Sequence, residues 1–130
     1  MNKYIDISTL VSAIAVIVTV VTFLINFIRT KKVETMQEID KIFDLHDKLS
    51  GEDTNKNYLE LVDYMRSVER FAIGVNEKLY YKSLVKKQLS IVLKKQYQTF
   101  MKELIDQRRK QFKRDDYYIN IEKLIKSFEK

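Results

Sequence analysis

Four polar side chains interrupt an otherwise apolar run near the start of this sequence: Ser12, Thr19, Thr22 and Asn26. On a helix of 100° per residue they share an arc of about 80° with Ser8 and Ala15, and Arg29 falls just beside it. Small and hydroxylated residues on one stripe let helices approach closely and hydrogen-bond across the contact. In a ring of copies, the same stripe would line a narrow, water-filled path for ions. Ser12, Ala15, Thr19, Thr22 and Asn26 are therefore read as an oligomer seam or a pore lining, and either role needs several copies of the chain.

Two charges stand where apolar residues are expected. Glu69 falls between Val62 and Met65 on the apolar arc of its segment, and Arg108 falls within the arc of Tyr97, Phe100, Leu104 and Ile105. An unpaired charge in either place would cost several kcal/mol. The pattern predicts a buried, bidentate ion pair between Glu69 and Arg108, with a ligand-binding or switching role as the alternative. His46 is the only histidine and there is no cysteine, so no metal site is expected, and His46 reads as a surface residue beside Asp47. No nucleophile elbow, phosphate loop, dinucleotide fingerprint or ribonuclease-type Arg/His pair occurs. The expectation is a protein that is not an enzyme and needs no cofactor.

Charge is unevenly distributed. Residues 33–81 carry a net −5 and residues 82–114 a net +9, within a total of +6. Lys86, Lys87, Lys94, Lys95, Lys102, Arg109 and Lys110 form a basic surface among Tyr97, Phe100 and Phe112. This surface can meet the acidic half of the chain or of a second copy, a nucleic acid, or an anionic membrane.

The elements that must position these residues read as all-α. There is no proline and only Gly51 and Gly74, too few of either for a fold of hairpins and tight turns. Leu10 to Ile28 is uncharged over 19 residues, about 28 Å of helix against a hydrocarbon core of about 30 Å. It is longer than the apolar core of a secretory signal, and no small-residue cleavage site follows it. The reading is a retained transmembrane helix, with residues 1–29 as tail and span and residues 30–130 as a helical bundle. Arg29, Lys31 and Lys32 outweigh Lys3, which places the N-terminus outside and the bundle in the cytoplasm. Val33, Met36, Ile39, Ile42, Phe43 and Leu49 continue a helical pattern with no breaker before Ser50-Gly51, so span and first bundle helix are compatible with one rod. GEDTNKN (51–57) reads as a loop. A helix follows from about Lys56 to Gly74, another is capped by Ser83, and a last one is capped by Asp115. Whether residues 83–112 form one helix or two is open at this point.

Three stretches, ERFAIGVNEKLYYKSLV (69–85), YQTFMKELIDQRRK (97–110) and YYINIEKLIKSFEK (117–130), resemble a family of small bacterial, membrane-anchored helical proteins catalogued as a domain of unknown function. Glu69, Ala72, Gly74 and Val75 match its first block; Phe100, Met101 and Arg108 match its second; Tyr118, Glu122 and Leu124 match its third. Relatives carry a glycine in the loop where this chain reads Asn76-Glu77-Lys78, and often a proline where it has Thr99. The resemblance implies a prophage or defence setting, in which small single-span proteins act on membranes. The expected function is a homo-oligomeric effector that permeabilises or depolarises the bacterial inner membrane in antiphage defence. Its partners would be membrane lipid, further copies of itself, and a protein or nucleic-acid trigger. The alternative is a membrane-tethered binding module that recruits nucleic acid or a protein through its basic face.

Overall fold

The computed structural model describes residues 6–49 and 58–129, and over these residues the chain is all-α. In order come α1 (Ile7–Leu49), α2 (Tyr58–Asn76), α3 (Lys82–Gln96), α4 (Lys102–Phe112) and α5 (Ile119–Ser127). A π-helical turn, Tyr97–Met101, fuses α3 to α4. The sequence pattern therefore resolves into one bulged helix rather than two separate ones. The loop expected at 51–57, the Ser50-Gly51 stop and the start at Lys56 lie outside the described residues.

Helix α1 is 43 residues long, about 65 Å. The Asp6 carboxylate accepts the Ser8 N–H at 3.2 Å, as an N-cap does. No glycine or proline then interrupts the backbone ladder. All residues from Asp6 to Thr30 are exposed, whereas Thr35, Ile39 and Ile42 are buried. The division at 29/30 is thus a change of surroundings within one helix. Among the described residues this is the helix long and apolar enough to cross a membrane.

The bundle is wound around α2, against which α1, α3 and α5 all pack. Contact on three sides explains why α2 buries Val62, Tyr64, Met65, Val68, Phe71, Ala72 and Val75. The Tyr81 N–H donates to Thr35 Oγ1 at 3.1 Å, and that hydroxyl donates to the Lys31 carbonyl at 2.7 Å. Further along, Gln96 meets both His46 and Tyr64. Hence α2 runs back along α1 and α3 runs out again. The α2–α3 turn comes to lie beside the root of the apolar span.

That turn corrects the role given to Gly74. The helix does not stop there but continues to Asn76. It ends with the Leu79 N–H on the Gly74 carbonyl at 2.8 Å and the Lys78 N–H on the Val75 carbonyl at 3.0 Å. This is a Schellman pattern, and Lys78, at φ 65°, occupies the left-handed position that favours glycine. Gly74 itself is needed for space. A Cβ there would stand 2.3 Å from Tyr80 Cε2, on a ring stacked against Phe71 at 5.9 Å. Ser83 is not the cap of α3 either: the helix begins at Lys82, and no side chain caps it.

Gly74→Ala should therefore destabilise the bundle by about 1–3 kcal/mol, the usual cost of overpacking. Tyr80→Ala combined with it should cost less than the sum of the two single changes. Denaturant unfolding of the full chain in detergent measures both. Strict additivity would mean that Gly74 and Tyr80 do not constrain each other.

Candidate functional site in the membrane helix and the polar junction of the bundle

Ser12, Ala15, Thr19, Thr22 and Asn26 are all exposed on the half of α1 that is not buried against any of the described residues. The Thr19 hydroxyl donates to the Ala15 carbonyl at 2.8 Å. The side chains of Ser12, Thr22 and Asn26 have no partner among the described residues, so their hydrogen bonds remain to be made. Counted from Asn26 at 100° per residue, Thr35, Ile39, Ile42 and His46 lie within about 40° of the opposite direction. The stripe and the bundle occupy opposite sides of one rod. A neighbouring helix can reach the stripe without meeting the bundle of its own chain.

The buried ion pair between Glu69 and Arg108 is not formed. Glu69 Oε1 instead accepts the N–H groups of Asn120 at 2.6 Å and Ile121 at 3.2 Å. These are the second and third residues of α5, the donors that an N-cap side chain satisfies. Helix α5 has no cap of its own, because Tyr118 precedes it in the left-handed conformation, at φ 61°. The expected cap, Asp115, lies further upstream and is exposed. The negative carboxylate also meets the positive end of the helix dipole. Asn76 Nδ2 closes the same corner by donating to the Asn120 carbonyl at 3.1 Å.

The ion pair of this junction is Arg109 with Glu122, supplemented by Arg109 Nε donating to the Tyr117 carbonyl at 2.9 Å. The π turn explains the exchange of Arg108 for Arg109. It widens one turn by a residue, so every face beyond it is displaced by one position from an unbroken wheel. Arg108 lies over the Phe112 ring at 4.7 Å instead. Arg108 Nε and Glu69 Oε2 are both buried without a partner among the described residues. Arg109, expected on the basic surface, is half-buried in its pair. Lys87, Lys95, Lys102 and Lys110 are exposed, and Lys86 and Lys94 are half-buried.

His46 is also not the surface residue expected. Its Nδ1 meets Gln96 Nε2, and Gln96 Oε1 accepts the Tyr64 hydroxyl. Burial pushes the Tyr64 phenol up to about 12, so it stays a donor. With its Oε1 taken by the phenol, Gln96 turns its Nε2 toward the His46 ring. The signal was legible in part. Gln96 follows Leu89 and Leu93 at helical spacing, and His46 follows Ile39 and Ile42 in the same way, which puts both polar groups on apolar stripes.

Burial pushes the Glu69 carboxyl above its usual range, against the two backbone N–H groups and Arg109, which pull it down. A carboxyl raised in the folded state contributes stability that is fully present below its unfolded pKa. That contribution is lost as pH rises through the folded value. Glu69→Gln keeps an acceptor for Asn120 and Ile121 and should remove this part of the pH dependence. Glu69→Ala should cost about 1–2 kcal/mol, as loss of a cap does. Unfolding of the full chain in detergent across the mildly acidic range measures both, and an alanine variant as stable as wild type would refute the capping role.

Several of the residues that carry the sequence resemblance have structural roles in the bundle. Glu69 caps α5, Gly74 admits Tyr80, Met101 is buried in the π turn, Tyr118 sets the entry to α5, and Glu122 holds Arg109. None of the curated proteins and none of the solved structures is significantly similar to this chain. The family described as "Domain of unknown function (DUF4760)" matches residues 7–128, apolar helix and bundle together, and the chain belongs to that family.

Proposed function

We propose that the chain is a single-span protein of the bacterial inner membrane that acts as a homo-oligomeric effector, permeabilising or depolarising the membrane when its bundle is triggered, with antiphage defence as its setting. The observation that carries this reading is the placement of the polar stripe across the rod from the bundle. Hydrogen-bonding groups in hydrocarbon need partners, and other copies of the same stripe supply them. Bundles on the outer side leave the axis of such an assembly open. Because α1 is unbroken, a rotation or tilt of the bundle reaches the stripe directly.

Orientation follows from Arg29, Lys31 and Lys32 at the bundle end of the span, which keep that end in the cytoplasm. The chain has no cysteine, so single cysteines report cleanly. Asn2→Cys should react with an impermeant thiol reagent on intact cells, and Gln37→Cys should react only after lysis. The reverse pattern would place the bundle outside and end the cytoplasmic reading.

Thr19→Leu with Asn26→Leu tests the stripe. A path lined by these residues becomes dry, and a hydrophobic constriction blocks ions by dewetting. Ion flux in liposomes containing the triggered protein should fall while membrane content and oligomer size stay constant. A seam that only packs would instead lose oligomers, with about 1 kcal/mol lost at Asn26. Unchanged flux from an intact oligomer would leave the helix as an anchor.

A further inference from the structure

Where α3 begins beside α1, the two helices leave an open groove of about 640 Å³. Ile28, Lys32 and Met36 line it at four-residue intervals on α1; Tyr81, Ser83, Leu84 and Lys87 line it from the α3 side. Its floor is apolar, its rim carries two lysines, and no acidic residue lines it. Ile28 is the last residue of the uncharged run, so the groove opens at the level where the span ends. Lys31 stands beside it, 4.5 Å over the Tyr81 ring. Tyrosine and lysine at such a level are the side chains that settle at a membrane interface.

We propose that this groove binds one anionic phospholipid, with its phosphate between Lys32 and Lys87 and its glycerol and upper acyl chain along Ile28, Met36 and Leu84. The proposal rests on the reading of α1 as a membrane span. Charge complementarity selects the headgroup. Both lysines are exposed, and the neighbouring Arg29, Lys31 and Lys82 add positive charge. The Ser83 hydroxyl has no partner among the described residues. The uncapped first turn of α3 offers further N–H donors to the phosphate. Position selects a lipid over a free anion, because an apolar floor continuous with the span suits an acyl chain and has no use for inorganic phosphate. Leu79, 58% exposed in the α2–α3 turn, gives the same end of the bundle an apolar contact with the membrane. Glu77, exposed in that turn, does not line the groove. Counted at 100° per residue, Ile28 and Lys32 lie on the side of α1 away from Asn26, about 160° and 120° from it. A lipid held there faces the outside of an assembly formed through the stripe.

The test uses the full chain in nanodiscs of phosphatidylcholine with increasing phosphatidylglycerol, followed by native mass spectrometry of the released protein. Wild type should retain phosphatidylglycerol under conditions that strip phosphatidylcholine. Lys32→Gln with Lys87→Gln should weaken that retention about 30-fold, five- to sixfold for each lysine near the surface. Lys123→Gln with Lys126→Gln, an equal loss of charge on exposed positions of α5, should leave it within about twofold. Millimolar glycerol phosphate should not displace the lipid. Resistance to alkaline extraction, measured on the same samples, separates the two readings. A chain that is extracted has lost the span on which the proposal rests. A chain that stays inserted yet shows no preference for phosphatidylglycerol, loses retention equally in both double variants, or releases lipid to glycerol phosphate overturns the groove itself.

Discussion

A single uninterrupted hydrogen-bond ladder in α1 serves two environments, and the remaining elements are arranged around that fact. A helix satisfies its own backbone polar groups, so the same element can stand in hydrocarbon at one end and in a protein core at the other. Only its side chains change, from Val, Ile, Leu and Phe around one polar stripe to the narrow seam of Thr35, Ile39 and Ile42. The bundle is therefore built onto the apolar helix instead of hanging from a linker. Helix α2 returns along it, α3 runs out again, and the α2–α3 turn is set down at the foot of the span. The groove, the exposed Leu79 and the lysines at that end all follow from this antiparallel path.

The seating of α5 depends on polar groups borrowed over long distances in sequence. Helix α5 has nine residues, short enough that its own propensity carries little weight. It takes its first hydrogen bonds from Glu69, on the helix it packs against. Arg109 and Glu122 tie the end of α4 to the first turn of α5 in the same way. A chain with almost no glycine also places lysines in left-handed positions, Lys78 after α2 and Lys113 after α4. Local backbone preference is overruled there by the packing of the helices on either side.

Much of this was legible in the sequence because helical periodicity is a one-dimensional signal. The uncharged run and the absence of any breaker before Leu49 both appear in the fold, as one continuous helix. What escaped had specific physical causes. A π turn leaves no mark on composition, yet it moved the ion pair from Arg108 to Arg109. Glu69 was rightly read as a charge needing a partner, but its partners are backbone N–H groups, which every sequence has and none advertises. The cap of α5 was sought nearby, at Asp115, because capping rules are local, whereas Glu69 lies on another helix. The polar residues of the stripe all fall on α1, and their relation to the bundle followed once that helix proved continuous.

That continuity makes the number of residues between Asn26 and Thr35 a geometric quantity. One residue added there would lower the stripe by only about 1.5 Å but swing it through about 100° relative to the bundle. It would then point along the flank of its own chain. Three or four residues added together would return it nearly to its original direction, about 5 Å further from the bundle. Single substitutions in this stretch leave that direction unchanged, but changes of length act as a gear. The spacing, more than the identity of Phe27 to Glu34, sets which way the polar stripe faces relative to the bundle.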